Sequence, residues 1–138
     1  MSGSFSRAGI TLNGLLALTA IIEAATGLAL MADPQIITRL LLGMEISGAA
    51  IALGRVAGVG LLSLGLAGWP GTNAAGDSTR SCRAMLTYNL LVTLYLLYLG
   101  IRGELVGSLL WPAAVLHAIL TVLLTGAWFK ARKRQIRS

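Results

Sequence analysis

The sequence predicts an all-α integral membrane protein, a single domain in which four helices form two in-out-in hairpins, and three observations carry that reading. Of 138 residues, 56% are hydrophobic and 12% charged, against about 45–50% and about 25% in ordinary soluble domains. That leaves too little polar surface to cover a water-soluble globule of this size and excludes a cytosolic enzyme. Four apolar segments, 9–32, 46–69, 84–101 and 108–129, each approach or exceed the roughly 20 residues a helix needs to cross a hydrocarbon core of about 30 Å. Lipid offers no partner for a free backbone amide, so all four are expected to be helices, and the alternation of a membrane barrel is absent. Third, Lys and Arg are divided unequally between the two sides that these segments define.

The first segment resembles a secretion signal in outline, with Arg7 before an apolar stretch and Ala29-Leu30-Met31-Ala32 at its end. It is too long for a signal core of about 7–15 residues and carries Asn13 and Glu23, so it is read as a retained helix. Asp33-Pro34 is a helix-start signal and Gly43 a stop, so the apolar piece 35–42 is expected to lie along the outer interface as a short helix. The second segment holds Arg55 and a small-xxx-small ladder of Ala50, Gly54 and Gly58. Such ladders allow close backbone approach. A neighbouring helix of the same chain is the expected partner, with a homodimer seam or a groove for a flat apolar ligand as alternatives. Residues 70–79 read as a flexible link between the hairpins. The third segment carries Tyr88 and Tyr95, an aromatic stripe read as packing, together with Asn89 and Thr93. The fourth carries His117 and Thr121 and runs into a basic tail, 130–138.

With the N-terminus inside, the cytoplasmic side collects Arg7, Arg80, Arg83, Lys130, Arg132, Lys133, Arg134 and Arg137, and the outer loops hold Arg39 and Arg102. The positive-inside rule therefore places both termini in the cytoplasm of an inner (plasma) membrane protein. Trp69 and Trp128 fall at the inner boundary and Trp111 at the outer one, where amphipathic rings prefer to sit.

Two charges have no such topological explanation. A charge at mid-helix costs roughly 2.5–3.5 kcal/mol on the insertion scale, and Glu23 and Arg55 both stand there. At 1.5 Å per residue each lies roughly 14 Å below the outer end of its segment, as does His117; Thr93 is near that level, with Asn89 one turn deeper. Thr19, Glu23 and Thr26 share one stripe of the first helix, Asn89 and Thr93 one of the third, and His117 and Thr121 one of the fourth. The simplest arrangement is an interior Glu23–Arg55 ion pair whose remaining donors and acceptors are met by His117, Asn89 and Thr93. The layer reads either as register glue or as the lining of a ligand site or path.

Several chemistries are excluded or weakened. A single His gives a haem one axial ligand unless two chains pair His117, and Glu23 with His117 falls short of a zinc or di-iron set; no cofactor or metal is expected. Cys82, the lone cysteine, forbids an internal disulfide. Gly60-Leu61-Leu62-Ser63-Leu64-Gly65 does not match a nucleophile elbow. The basic tail reads as a cytoplasmic stop signal attracted to lipid headgroups, not as a nucleic-acid site.

The stretch 54–66, Gly54-Arg55-Val56-Ala57-Gly58-Val59-Gly60-Leu61-Leu62-Ser63-Leu64-Gly65-Leu66, after a helix ending in Ala32-Asp33-Pro34, resembles small four-helix bacterial inner-membrane proteins of unknown function, loosely the DoxX-like group. The resemblance covers the first half of the chain and implies four helices and a bacterial inner membrane. Three function classes remain open, in this order: a protein binding or translocating a small or amphipathic, lipid-like ligand at the polar layer; a structural or accessory subunit with a membrane-complex or homo-oligomeric partner; and an intramembrane enzyme acting on an isoprenoid or quinone.

Overall fold

The computed structural model describes residues 11–70 and 75–136. Five helices account for most of them: α1 (Leu12–Ala32), α2 (Pro34–Leu42), α3 (Ala49–Gly68), α4 (Ala75–Arg102) and α5 (Leu110–Ile136). All but α2 are long and apolar enough to cross a membrane, and the chain is a multi-pass membrane protein built as an all-α four-helix bundle. Its outward surface fits that solvent. Leu53, Val56, Val122 and Ile101 are 67–80% exposed, an arrangement water penalises and hydrocarbon does not.

Local chemistry sets the helix ends. Thr11 caps α1 through its hydroxyl, which accepts from the Gly14 N–H at 3.2 Å. Asp33 closes one helix and opens the next: its N–H bonds the Ala29 carbonyl at 2.9 Å, its carboxylate accepts from the Ile36 N–H at 3.0 Å, and Pro34 occupies the first turn. Gly43, at φ 72°, ends α2 in the left-handed region that a side chain resists. The short helix expected over 35–42, with its start and stop signals, is thus present.

Two helices extend beyond their expected apolar spans. Residues 75–79, read from sequence as part of a flexible link, form the first turn and more of α4; residues 71–74 of that link lie outside the described residues. The basic stretch after 129 likewise continues α5 to Ile136. Both corrections have one cause: hydropathy marks where a helix is apolar, whereas backbone hydrogen bonding continues past the apolar stretch into polar residues, in α4 even through Gly76. Ser78 in the extension donates to Asn13 Oδ1 at 3.3 Å, and the Arg132 guanidinium stands over the Trp128 ring at 6.0 Å.

Packing is unequal. α1 and α3 form one close pair, α4 and α5 another. The first is a glycine seam. A Cβ on Gly27 would lie 2.7 Å from the Gly58 carbonyl oxygen, one on Gly58 2.6 Å from that of Gly27, and one on Gly65 2.7 Å from that of Ala20. These helices meet backbone to backbone, as small residues permit in lipid. The pairs are joined by an apolar core of Leu15, Leu16, Ala20, Cys82, Met85 and Leu124 at the end of the bundle opposite α2. At the α2 end a gap is left between them. There α2 lies across both hairpins, tied to the loop between α4 and α5 by Gly107 N–H to Leu41 O (3.0 Å) and Leu109 N–H to Leu40 O (2.8 Å). Gly107 has no room for a side chain, because a Cβ would meet the Leu40 carbonyl.

Candidate functional site

Beneath α2 the two hairpins leave between them a half-open cavity of about 460 Å³, within the range of small-molecule sites. Ile22, Ala25, Ala29 and Leu30 of α1 form one wall, Val92 and Leu96 of α4 with Leu109 of the α4–α5 loop and Ala113 and Leu116 of α5 the other, and Ile37, Leu41 and Leu42 of α2 the roof, with Leu61 of α3 behind. Four polar side chains interrupt this lining: Thr26, Thr38, Tyr88 and His117. The Thr26 hydroxyl bonds back to the Ile22 carbonyl at 2.8 Å. That of Thr38, in the roof, has no partner among the described residues. Tyr88 and His117 stand at the deep end, His117 seven residues into α5 and so about 10 Å below its start.

The deep end is held by a chain of contacts running across three helices. Asn89 is fully buried and donates from Nδ2 to the Met85 carbonyl of its own helix at 2.8 Å. Its Oδ1 is thereby turned toward α5 and lies 2.8 Å from His117 Nδ1. A carbonyl oxygen only accepts, so the Nδ1 position carries the hydrogen, and in the neutral ring Nε2 is left as an acceptor. Tyr88 packs edge-on against that ring, centroids 6.0 Å apart, and its hydroxyl interacts electrostatically with the Glu23 carboxyl on α1. Glu23 is 1% exposed, and its Oε1 has no hydrogen-bond partner among the described residues. The cavity thus ends on an aromatic hydroxyl and an imidazole, with a buried carboxyl behind them.

The residues expected in the polar layer divide accordingly. Glu23, Asn89 and His117 come together. Thr19 and Thr93 are buried near them, but each spends its hydroxyl on its own helix, bonding the Leu15 and Asn89 carbonyls at 2.7 Å. Arg55 does not join. It is exposed on α3, and the ion pairs formed by described residues are instead Arg39–Glu45 and Arg102–Glu104, both at the surface. The expected Glu23–Arg55 pair is therefore corrected, and helix geometry supplies the reason. α3 begins at Ala49, not at residue 46, so Arg55 lies only about 9 Å from its start. Side chains on a helix slant toward its N-terminus, which here is the α2 end, so the guanidinium is directed toward the near interface and away from Glu23.

The small-residue ladder is also redrawn. Gly58 belongs to the α1 seam and Gly54 lies against Pro34, but Ala50 is exposed; the seam continues instead through Gly65 and Gly27. Tyr88 is the candidate-site residue that sequence reasoning undervalued. Paired with Tyr95 it read as a packing stripe, yet Tyr95 is 61% exposed and stacks on Tyr98. Its adjacency to Asn89 was the available signal.

No family model, curated protein or solved structure matches this chain. Among the described residues no cluster of three or more His, Cys, Asp or Glu could hold a metal ion.

Proposed function

We propose that the protein binds, and by binding moves within the bilayer, a lipid-like amphipath with a long apolar body and a small hydrogen-bonding head. The cavity beneath α2 supports this reading most directly. Its walls are aliphatic, it lies at membrane depth, and at its deep end His117 Nε2 offers an acceptor and the Tyr88 hydroxyl a donor or acceptor. A register device alone has no use for an unfilled apolar volume next to its polar groups. In this reading Asn89 fixes the imidazole, the Glu23 carboxyl stands behind Tyr88, and neither needs to touch the ligand. The distribution of Lys and Arg supports cytoplasmic termini with α2 on the outer face, and a bacterial inner membrane is what the DoxX-like resemblance implies.

The test is retention of bound lipid. Native mass spectrometry of gently extracted wild-type protein is expected to show a co-purifying apolar small molecule that is absent from Ala29→Trp and Ala113→Trp, each of which places an indole in the cavity. Equal retention by folded tryptophan variants overturns the reading.

A further inference from the structure

A second cleft, of about 580 Å³, opens between α3 and α4 at the end of the bundle opposite α2. We propose that it binds an anionic phospholipid drawn from the leaflet on that side. The inference rests on the order in which the cleft presents its chemistry along α4. Arg80 and Arg83 stand at the mouth, Thr87 one turn below Arg83, Tyr88 beside it, and Leu91 one further turn down, with Leu64 of α3 as the facing wall. Spacings of three and four keep Arg80, Arg83, Thr87 and Leu91 on one face of the helix. Arg80 to Leu91 spans about 16 Å, half of a hydrocarbon core of about 30 Å. Cation, hydroxyl and apolar wall therefore follow one another at the depths where one leaflet holds phosphate, ester and acyl chain.

Two further observations point to a ligand here. Neither Arg80 nor Arg83 pairs with an acid among the described residues, whose ion pairs lie at the α2 end. The Thr87 hydroxyl also differs from those of the threonines that close onto their own helices. Those of Thr19, Thr26, Thr93, Thr121 and Thr125 all bond back to the carbonyl four residues earlier, while Thr87 has no partner among the described residues. The guanidinium groups suit a phosphodiester, which accepts their N–H groups and supplies the missing charge. A free phosphate would satisfy the arginines but leave the Leu64–Leu91 half of the cleft without an occupant. Basic pockets between membrane helices are a recurring phospholipid site.

The test compares binding of phosphatidylglycerol and phosphatidylcholine to the purified full chain, by lipid titration with native mass spectrometry. Wild type is expected to prefer phosphatidylglycerol. At the usual contribution of each interfacial basic residue, Arg80→Ala with Arg83→Ala is expected to weaken that binding about thirty-fold. Arg132→Ala with Lys133→Ala, which removes the same charge outside the cleft, is expected to change it less than three-fold. Leu64→Trp, which keeps both arginines and fills the apolar half, is expected to abolish the preference. Equal losses in the two double variants reduce the site to general surface charge and overturn the proposal. Displacement of phosphatidylglycerol by inorganic phosphate also overturns it, as does undiminished binding by Leu64→Trp.

Discussion

Gly58 and Gly60 stand two residues apart on α3 in opposite environments, and substituting each by alanine gives an internally controlled measure of the glycine seam. A Cβ at Gly58 would lie 2.6 Å from the Gly27 carbonyl oxygen and 2.9 Å from the Met31 amide nitrogen, both backbone atoms, whereas nothing lies within 4 Å of one at Gly60. To restore ordinary contact, α1 and α3 must separate by roughly 1 Å, enough to forfeit up to about half of the dispersion attraction across the seam. Overpacking of this kind costs about 1–3 kcal/mol. The gain in helix propensity from Gly to Ala, about 1 kcal/mol, is common to both sites and cancels in their difference. Gly58→Ala is therefore expected to be less stable than Gly60→Ala by about 1–3 kcal/mol in equilibrium unfolding by dodecyl sulfate in mixed micelles, followed by circular dichroism. Because Gly27 and Gly58 each abut the other's carbonyl, Gly27→Ala added to Gly58→Ala is expected to cost less than the sum of the two singles, the seam having already opened. A difference between Gly58→Ala and Gly60→Ala below about 0.5 kcal/mol would refute the backbone-to-backbone account of the α1–α3 pair.

Three other substitutions probe the polar end and the roof. Arg55→Leu is expected to change stability by no more than about 0.5 kcal/mol in the same unfolding assay, because the side chain is exposed and free of Glu23; a buried ion pair would cost about 3–5 kcal/mol on losing one partner, so a loss of that size restores the pair. Asn89→Leu leaves the His117 Nδ1–H without its acceptor and is expected to cost about 1–3 kcal/mol, toward the low end since interhelical hydrogen bonds in membranes average about 0.6 kcal/mol; an unchanged midpoint argues that this bond does not form. Gly107→Val drives a side chain into the Leu40 carbonyl and is expected to release α2, seen as faster amide hydrogen exchange at Leu109, which bonds Leu40 in the wild type. Unchanged protection at Leu109 would show that α2 is held by something other than this latch.

The four spanning helices and α2 could be read from composition because both signals are local: apolar length for the spans, and Asp33-Pro34 with Gly43 for the short helix. Depth was a weaker guide to the site. Counting residues from hydropathy boundaries put Glu23, Arg55 and His117 at one level, but it carried no information about which way Arg55 faces on α3, and a three-residue shift in the start of that helix brought its guanidinium within reach of the interface. Glu23, Asn89 and His117 were identifiable because a buried polar group in a membrane helix needs partners and their types complement one another. The cavity was not identifiable at all. It arises from the difference between a seam closed by Gly27, Gly58 and Gly65 and a second interface widened beneath α2, a property of helix separation that no single segment encodes. Tyr88 was missed for the same reason, since its role comes from lying between Glu23 and the cavity lining.

The central claim is that the space beneath α2 is a ligand site, and photolabelling with a long-chain alcohol carrying a diazirine on its alkyl chain tests it most directly. With the protein in bilayers, labelled residues mapped by mass spectrometry are expected to concentrate on the cavity walls, at Ala25, Ala29 and Leu30 of α1 and at Ala113 and Leu116 of α5, to be competed by unlabelled alcohol, and to disappear from these positions in Ala113→Trp. Labelling spread evenly over outward-facing residues such as Leu53, Val56 and Val122, and unaffected by Ala113→Trp, would contradict it.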